Sequence, residues 1–286
     1  MKVLVTGGSG FIGSHIVDVL IGKGHSVINI DLNHPHRNDM TYIYGSILDK
    51  KLLDDIVQKC DAIYHLGGFS NIDFVKDNPV ETIELNILST VYLLDVCRKK
   101  LKPPHFIYAS SVYAFDRHGH LYTTSKFLSE KIIEDFYLLY KVPYTILRFA
   151  TVYGARSRKA DVIYCFVENA INKGKIEIHG DGKQTRNFTN ARDIGEGSVE
   201  VLERKNCLNK TLIIACPVSI AINELAMKVK EIVNPSLSIN YMPSSRVADY
   251  GGTINGLEES FDLLGWRPRI TLEEGIKQLK DIVIES

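Results

Sequence analysis

The stretch Thr6-Gly-Gly-Ser-Gly-Phe-Ile-Gly13 decides how this chain is read. It follows a short apolar run, KVLVT (residues 2–6), that reads as a buried strand, and it opens an amphipathic run over residues 11–23 with helical spacing. Gly8, Gly10 and Gly13 satisfy G-x-G-x-x-G, while Gly7, Gly10 and Gly13 satisfy the related G-x-x-G-x-x-G. Glycines in such a turn permit positive φ and let the backbone approach a pyrophosphate closely. The free N–H groups and positive dipole end of the helix that begins near Phe11 then hold the negative charge. Asp31 ends the second strand-like run, residues 26–31. A carboxylate there accepts hydrogen bonds from an adenosine ribose and repels a 2′-phosphate. The turn and the acid together predict a dinucleotide site that takes NAD. Arg37, in the next loop, is the one neighbour that could admit NADP.

Working outward, residues 42–45, 62–66, 105–110 and 144–149 also read as strands. Residues 50–59, 80–100 and 122–140 have the length and spacing of helices. Strand, helix and strand recurring in this way demand right-handed crossovers, so the expected fold is α/β, a Rossmann-type doubly wound parallel sheet. After about residue 150 the rhythm changes. Helical runs at 162–173, 193–202 and 223–233 are separated by short strands and by loop-like segments at 180–186 and 243–252. Thr271-Leu-Glu-Glu274 is a capping box that opens a last helix. We expect an NAD-binding part over residues 1–152. A smaller α/β substrate-binding part is expected over 153–286, with some segments returning to the sheet and the ligand held between the parts at the carboxyl ends of the strands.

Composition narrows the class. The 286 residues are 45% hydrophobic and 24% charged, enough for one large or two unequal domains. Lys plus Arg and Asp plus Glu both number 34, so there is no basic surplus for nucleic-acid binding. No apolar run reaches membrane-spanning length, and MKVLVTGG runs into the strand without a signal-peptide pattern. Cys60, Cys97, Cys165, Cys207 and Cys216 are scattered without a C-x-x-C pair. The expectation is a cytoplasmic enzyme with reduced thiols, no disulfide frame and no metal site.

Tyr122-Thr-Thr-Ser-Lys126 places a phenol and an ammonium one helical turn apart, where the cation lowers the phenol pKa toward use as a general base. The pattern recurs at Tyr137-Leu-Leu-Tyr-Lys141. That second copy sits where a helix must stop before Pro143, so its lysine is better placed to cap carbonyls. The first copy follows a strand whose end carries Ser110 and Ser111, which puts hydroxyls at the cofactor crevice.

At this point the sequence resembles the extended short-chain dehydrogenase/reductases, in their NAD-dependent epimerase/dehydratase branch. TGGSGFIGSH, DAIYHLGG, IYASSVY, YTTSKFLSEK, LRFATVYGAR, IHGDGKQTRNF and GWRPRITLEEGI carry the resemblance in order, nearly end to end. It implies that Tyr122 is the catalytic base toward a sugar hydroxyl. Lys126 then binds the nicotinamide ribose, and Ser111, with Ser110 as the alternative, hydrogen-bonds the same hydroxyl. Gly7, Gly10, Phe11, Ile12 and Gly13 form the pyrophosphate cradle, and Leu66, Gly67 and Gly68 lie along the cofactor. Asn86 matches a helix asparagine that is more often structural than chemical. The adenine contact usually made by an aspartate falls to Ser46 or to the Ile47 backbone. Thr151 stands where an asparagine often touches substrate. Arg186 and Arg246 match anchors for a nucleotide diphosphate, and Asp249 fixes the loop or touches a ribose. A homodimer through helices 80–100 and 122–140 is also implied. The link over residues 114–121 is unusually short, which leaves the substrate open.

Members of this branch share hydride removal from a sugar carbon and differ in the step after it. A dehydratase needs a carboxylate just after the catalytic hydroxyl, and here none occurs before Asp116. The leading expectation is a nucleoside-diphosphate-sugar 4-epimerase of UDP-glucose/UDP-galactose type with tightly bound NAD. The alternatives are a sugar-nucleotide reductase, dehydrogenase or dehydratase and, outside enzymes, an NAD-sensing regulatory protein.

Overall fold

Val3, Leu4 and Val5 are wholly buried, which requires a strand covered on both faces. In the computed structural model, which describes residues 1–115, 121–243 and 254–285, that strand is the hub of the fold. In chain order, β1 (Lys2–Thr6) is followed by α1 (Phe11–Gly22), β2 (Ser26–Asp31), β3 (Thr41–Tyr44), α2 (Lys50–Val57) and β4 (Ala62–His65). The short helices α3 (Ile72–Asp77) and α4 (Pro79–Ile83) lead to α5 (Ser89–Cys97), β5 (His105–Ser111), α6 (Leu121–Tyr140) and β6 (Tyr144–Phe149). Beyond these lie β7 (Thr151–Tyr153), α7 (Val162–Asn172), β8 (Lys175–His179), β9 (Thr185–Arg186), β10 (Phe188–Asn190) and α8 (Ala191–Glu200). The chain closes with β11 (Lys210–Ile214), β12 (Ile220–Ala221), α9 (Ile222–Val233), β13 (Ser238–Met242), α10 (Leu257–Leu264) and α11 (Leu272–Glu285).

Seven strands form one sheet in the order β11-β6-β5-β4-β1-β2-β3, and every pairing in it is parallel. The chain runs outward from β1 to β3, returns to β4, and builds outward the other way. The switch point therefore falls between β1 and β4, where an open sheet of this kind carries its ligand crevice. Alternate strand residues feed two cores. Val3 and Val5 pack with Ile16, Leu20, Ile194 and Trp266 on one face, while Leu4 packs with Leu53, Leu93, Phe106 and Ile133 on the other. A third core, around Phe166, Ile176, Leu225 and Ile276, holds α7, β8, α9 and α11 together.

The residues after 152 supply part of the first layer: β11 extends the sheet beside β6, and α8 lies against α1. Gly195 permits that approach, since a Cβ there would sit 2.8 Å from the His15 carbonyl oxygen. Several expected boundaries move. The single helix over 80–100 is instead α4, a π-helical turn over Glu84–Leu88, and α5. Asn86, in that turn, hydrogen-bonds both backbone groups of Phe69 and the Ser125 hydroxyl, and π-turns of this kind accommodate such inward contacts. The sequence reading marks no helix at α3 or α10, although Leu257, Phe261 and Leu264 recur at helical spacing in α10 and Gly265 ends it. The loop-like segment 180–186 ends in β9, which pairs antiparallel with β12. Ser111 belongs to β5, and Gly45 lies just outside β3.

Asn190 caps α8, so the helix starts ahead of Asp193, where the spacing predicts its beginning. Asp193 is 1% exposed and accepts hydrogen bonds from Arg269 N (3.1 Å) and Ile270 N (2.9 Å), which ties the tail segment to the helix. The Thr271–Glu274 capping box forms reciprocally at the start of α11. Asp193→Ala removes the charged acceptor of two part-buried N–H groups and should lower unfolding stability by about 2 kcal/mol, read as a lower urea midpoint at unchanged slope.

Candidate active site

The glycine turn fits a pyrophosphate for a steric reason. A Cβ on Gly13 would lie 2.1 Å from the Gly7 carbonyl oxygen, so only glycine lets α1 start this close to the end of β1. Gly7 has φ +75°, and a Cβ there would meet Gly67 N at 2.8 Å across the switch point. Ser14 N makes the first helical hydrogen bond, to Gly10 O at 2.9 Å. The N–H groups of Phe11, Ile12 and Gly13 precede it and form the anion-binding end of the helix. The turn is braced from β2, where Asn29 Oδ1 accepts from Gly8 N (3.0 Å) and Asn29 Nδ2 donates to Ser9 Oγ (2.9 Å).

Asp31 accepts from Ser9 N at 3.0 Å and from Asn33 N at 2.9 Å, which fixes its carboxylate at the edge of the crevice. Arg37 faces elsewhere. Its guanidinium grips Asp39 through two hydrogen bonds (2.6 and 2.5 Å) and reaches Asp18 on α1 at 2.8 Å. This orientation leaves the Asp31 carboxylate at the cavity edge without a guanidinium from Arg37 beside it. Ser46 Oγ accepts from Leu48 N, and the Ile47 side chain packs against Gly67.

One cavity of about 1260 Å³ runs along the carboxyl ends of the strands and on toward β8 and β10. The expected cofactor residues Gly7, Gly10, Phe11, Ile12, Gly13, Asp31, Ser46, Ile47, Leu66, Gly67 and Gly68 all line it. Ser111, Tyr122, Lys126, Thr151 and Arg186 line it too. Arg246 and Asp249 lie outside the described residues, as does Asp116.

The end of β5 and the start of α6 bring the hydroxyl, phenol and amine together. Strand alternation separates the two serines. Ser110 Oγ donates to buried Glu130 at 2.5 Å, whereas Ser111 hydrogen-bonds the Tyr122 phenol. Both serines line the cavity, and Ser111 is the one whose hydroxyl is paired with the Tyr122 phenol. Lys126 is 8% exposed; its Nζ donates to Ala109 O at 2.8 Å and sits 4.8 Å from the centre of the Tyr108 ring. Burial pulls its pKa down to about 8, against the opposing charge of Glu130.

Tyr122 departs from expectation. Burial pushes its pKa up to about 12, and the groups that oppose this are the Ser111 hydrogen bond and the charge of Arg158. The Lys126 ammonium lies 5.9 Å from the Tyr122 ring centre and is engaged by Ala109 O, which explains its weak hold on the phenol in this arrangement.

The second Tyr-Lys pair behaves as its sequence context suggests. Lys141 Nζ donates to Leu138 O, and Tyr137 packs against Tyr144 in the core.

At the far end of the cavity, Tyr113 OH and Thr151 Oγ1 are 3.1 Å apart, and the Arg186 guanidinium lies 6.0 Å from the Tyr113 ring centre. Arg158, which no sequence spacing singles out, also lines the cavity and hydrogen-bonds Asp161 at 2.8 Å. Its loop is anchored on α1 by a hydrogen bond between His15 Nε2 and Ala155 O (2.9 Å) and by the Arg156–Asp18 ion pair (2.6 Å). Glu130 and Arg148 also escape the sequence reading. Glu130 has a usable signal, because it continues the Tyr122–Lys126 stripe by one more helical turn.

A glycine cradle and acidic ribose site at the switch point, joined by one cavity to a Ser-Tyr-Lys group, define a dinucleotide-dependent enzyme of the Rossmann class. The chain belongs to the NAD dependent epimerase/dehydratase family, whose sequence profile matches residues 3–215. It is 29% identical over 303 residues to UDP-glucuronic acid decarboxylase 1 of Arabidopsis thaliana, covering 98% of this chain and 69% of that one. It is 27% identical over 313 residues to UDP-N-acetyl-alpha-D-glucosaminuronate decarboxylase of Bacillus cytotoxicus, covering 97% and 96%. Its fold matches UDP-glucose 4-epimerase of Thermotoga maritima, solved with UDP-glucose, at TM-score 0.91 and 27% identity over 100% and 99% of the two chains. NAD is thus the cofactor, and the cradle fits it.

Gly13→Ala forces a methyl into the Gly7 carbonyl and should weaken NAD binding by about tenfold or more, measured by calorimetry on protein stripped of cofactor.

Proposed function

We propose that the chain is a nucleoside-diphosphate-sugar 4-epimerase of UDP-glucose/UDP-galactose type that retains its NAD through each cycle. The observation that carries this reading is the meeting of Ser111, Tyr122 and Lys126 where the cofactor end of the cavity passes into its sugar end. NAD, when bound, supplies the hydride acceptor. Ser111 orients the sugar hydroxyl, and Tyr122 takes its proton. The phenolate that forms is favoured by the Ser111 hydrogen bond and by the charge of Arg158. Arg186 holds the diphosphate, so the keto-sugar can turn over while its nucleotide stays anchored. Among the described residues next to Ser111, Val112, Tyr113 and Ala114 bring no carboxylate, which leaves elimination without its acid–base pair. The resemblance to a UDP-glucose 4-epimerase along the whole chain supports the same reading.

Arg158 supports a second reading, in which the substrate is a UDP-uronic acid. A guanidinium that lines the cavity and acts on the phenol through its charge suits a carboxylate on the sugar, and two of the relatives are decarboxylases of UDP-uronic acids. Oxidation at C4 of such a sugar gives a β-keto acid. That intermediate either returns to an epimer or loses carbon dioxide, the C5–C6 bonding pair moving into the enolate. We further propose a cytoplasmic homodimer through the helix pair of α4–α5 and α6, whose outer faces expose Val80, Leu88 and Leu128.

Tyr122→Phe should cut turnover by about 10²–10⁴ while copurifying NAD is unchanged, and Tyr137→Phe should leave turnover intact. Chromatography should show UDP-glucose and UDP-galactose interconverting with no build-up of NADH absorbance; stoichiometric NADH would move the chain to the dehydrogenases. Turnover of UDP-glucuronic acid instead, lost by about tenfold or more in Arg158→Ala, would establish the second reading.

A further inference from the structure

The mechanism leaves unused a charged group just beneath the site. Tyr122, Lys126 and Glu130 lie at i, i+4 and i+8 of α6, on the stripe that turns toward β5. Glu130 is fully buried and is clamped from two strands. Ser110 Oγ donates to its Oε1 at 2.5 Å from β5. Arg148 on β6 donates through Nε to the same oxygen at 2.9 Å and through Nη2 to Oε2. Three donors fix the carboxylate, so it cannot swing away from the lysine one turn above it.

We infer that Glu130 is a positioning residue: locked by Ser110 and Arg148 one helical turn below Lys126, it keeps the lysine charged at the cofactor cavity. The inference rests on the proposed function for the meaning of that charge, but not for its test. Every neighbour of Lys126 is consistent with it. From β4, His65 is held neutral by burial, its pKa drawn down to about 3. From β5, the Tyr108 ring faces the amine and Ala109 accepts one of its protons. On α6 itself, Tyr122 is a neutral phenol, and among the described residues Glu130 carries the one negative charge that acts on the amine. Arg148 approaches Glu130 from β6 and is the cation paired with that carboxylate, on the side away from α6.

Burial disfavours the ammonium and the carboxylate favours it, so removing the carboxylate lets the lysine lose its proton at lower pH. Function that needs the charged lysine is then lost earlier as pH rises.

The test follows Lys126 itself, by NMR of protein carrying lysine labelled with ¹³C at Cε, with the signal assigned by Lys126→Arg. The unaltered protein should titrate with a midpoint near 8. Glu130→Gln should lower that midpoint by about one unit or more, and Glu130→Asp should restore part of the difference. Ser110→Ala, which keeps all three charges, should leave the midpoint within a few tenths of a unit. Should Glu130→Gln fail to fold because Arg148 is left uncompensated, Glu130→Gln combined with Arg148→Met removes both charges and should still lower the midpoint, by less than the single variant because a repelling cation is lost with the carboxylate. An unchanged Lys126 midpoint in a folded Glu130 variant overturns the proposal and leaves the pair a purely structural ion pair. Because this readout needs no substrate, it stands or falls apart from the epimerase reading. If that reading holds as well, the alkaline limb of kcat should move down by the same amount while KM for the sugar nucleotide is unchanged.

Discussion

The backbone contact between the ends of β1 and β4 is the constraint on which the rest of the structure depends. Gly7 and Gly67 approach so closely that a single Cβ on the former would fall 2.8 Å from the backbone nitrogen of the latter. Gly13 presses as tightly against Gly7 from the start of α1. These contacts close the sheet at its switch point and aim the helix N-terminus across the strand ends. They also set the depth of the crevice along which the cavity runs. Thr6 and His65 reinforce the junction from within: Thr6 Oγ1 meets His65 Nδ1 at 2.8 Å and accepts from Gly67 N at 3.2 Å.

From that junction the chemistry is built outward by alternation along β5 and by the helical repeat of α6. One strand step separates Ser111, which faces the phenol, from Ser110, which turns to Glu130. One helical turn separates the phenol from the amine, and a second separates the amine from Glu130. Charge this deep is costly unless it is paired and hydrogen-bonded. The arrangement meets that condition for Glu130 with three donors, and for Lys126 with a carbonyl, an aromatic face and the Glu130 carboxylate. The Lys126 amine is thereby held at the cavity wall beside Ser111 and Tyr122.

The second half of the chain does not simply sit beside the first. It donates β11 to the sheet and α8 to the layer over α1. Asp18 on α1 receives His36 and Arg37 from the loop after β2, and Arg156 from the loop that carries Arg158. The loop after β2 and the loop that carries Arg158 are thus fixed to the same helix, the one that begins at the glycine turn.

Sequence alone was sufficient for the parts governed by local rules. Glycine spacing after a buried strand implied the cradle, period-two and period-3.6 patterns implied the alternating elements, and the Tyr122–Lys126 interval implied a shared helix face. These features depend on residues a few positions apart, where φ/ψ limits and side-chain periodicity act directly. Tertiary structure decided everything that depends on residues far apart in the chain. The π-helical turn at Asn86 answers Phe69 and Ser125. The choice of Ser111 over Ser110 answers Glu130, and the orientation of Arg37 answers Asp18 and Asp39. The phenol pKa is set by burial, by the Ser111 hydrogen bond and by Arg158, a residue from another loop. Burial and charge act through space at a few ångströms, and no interval in the sequence encodes which distant side chain the fold will bring to that distance.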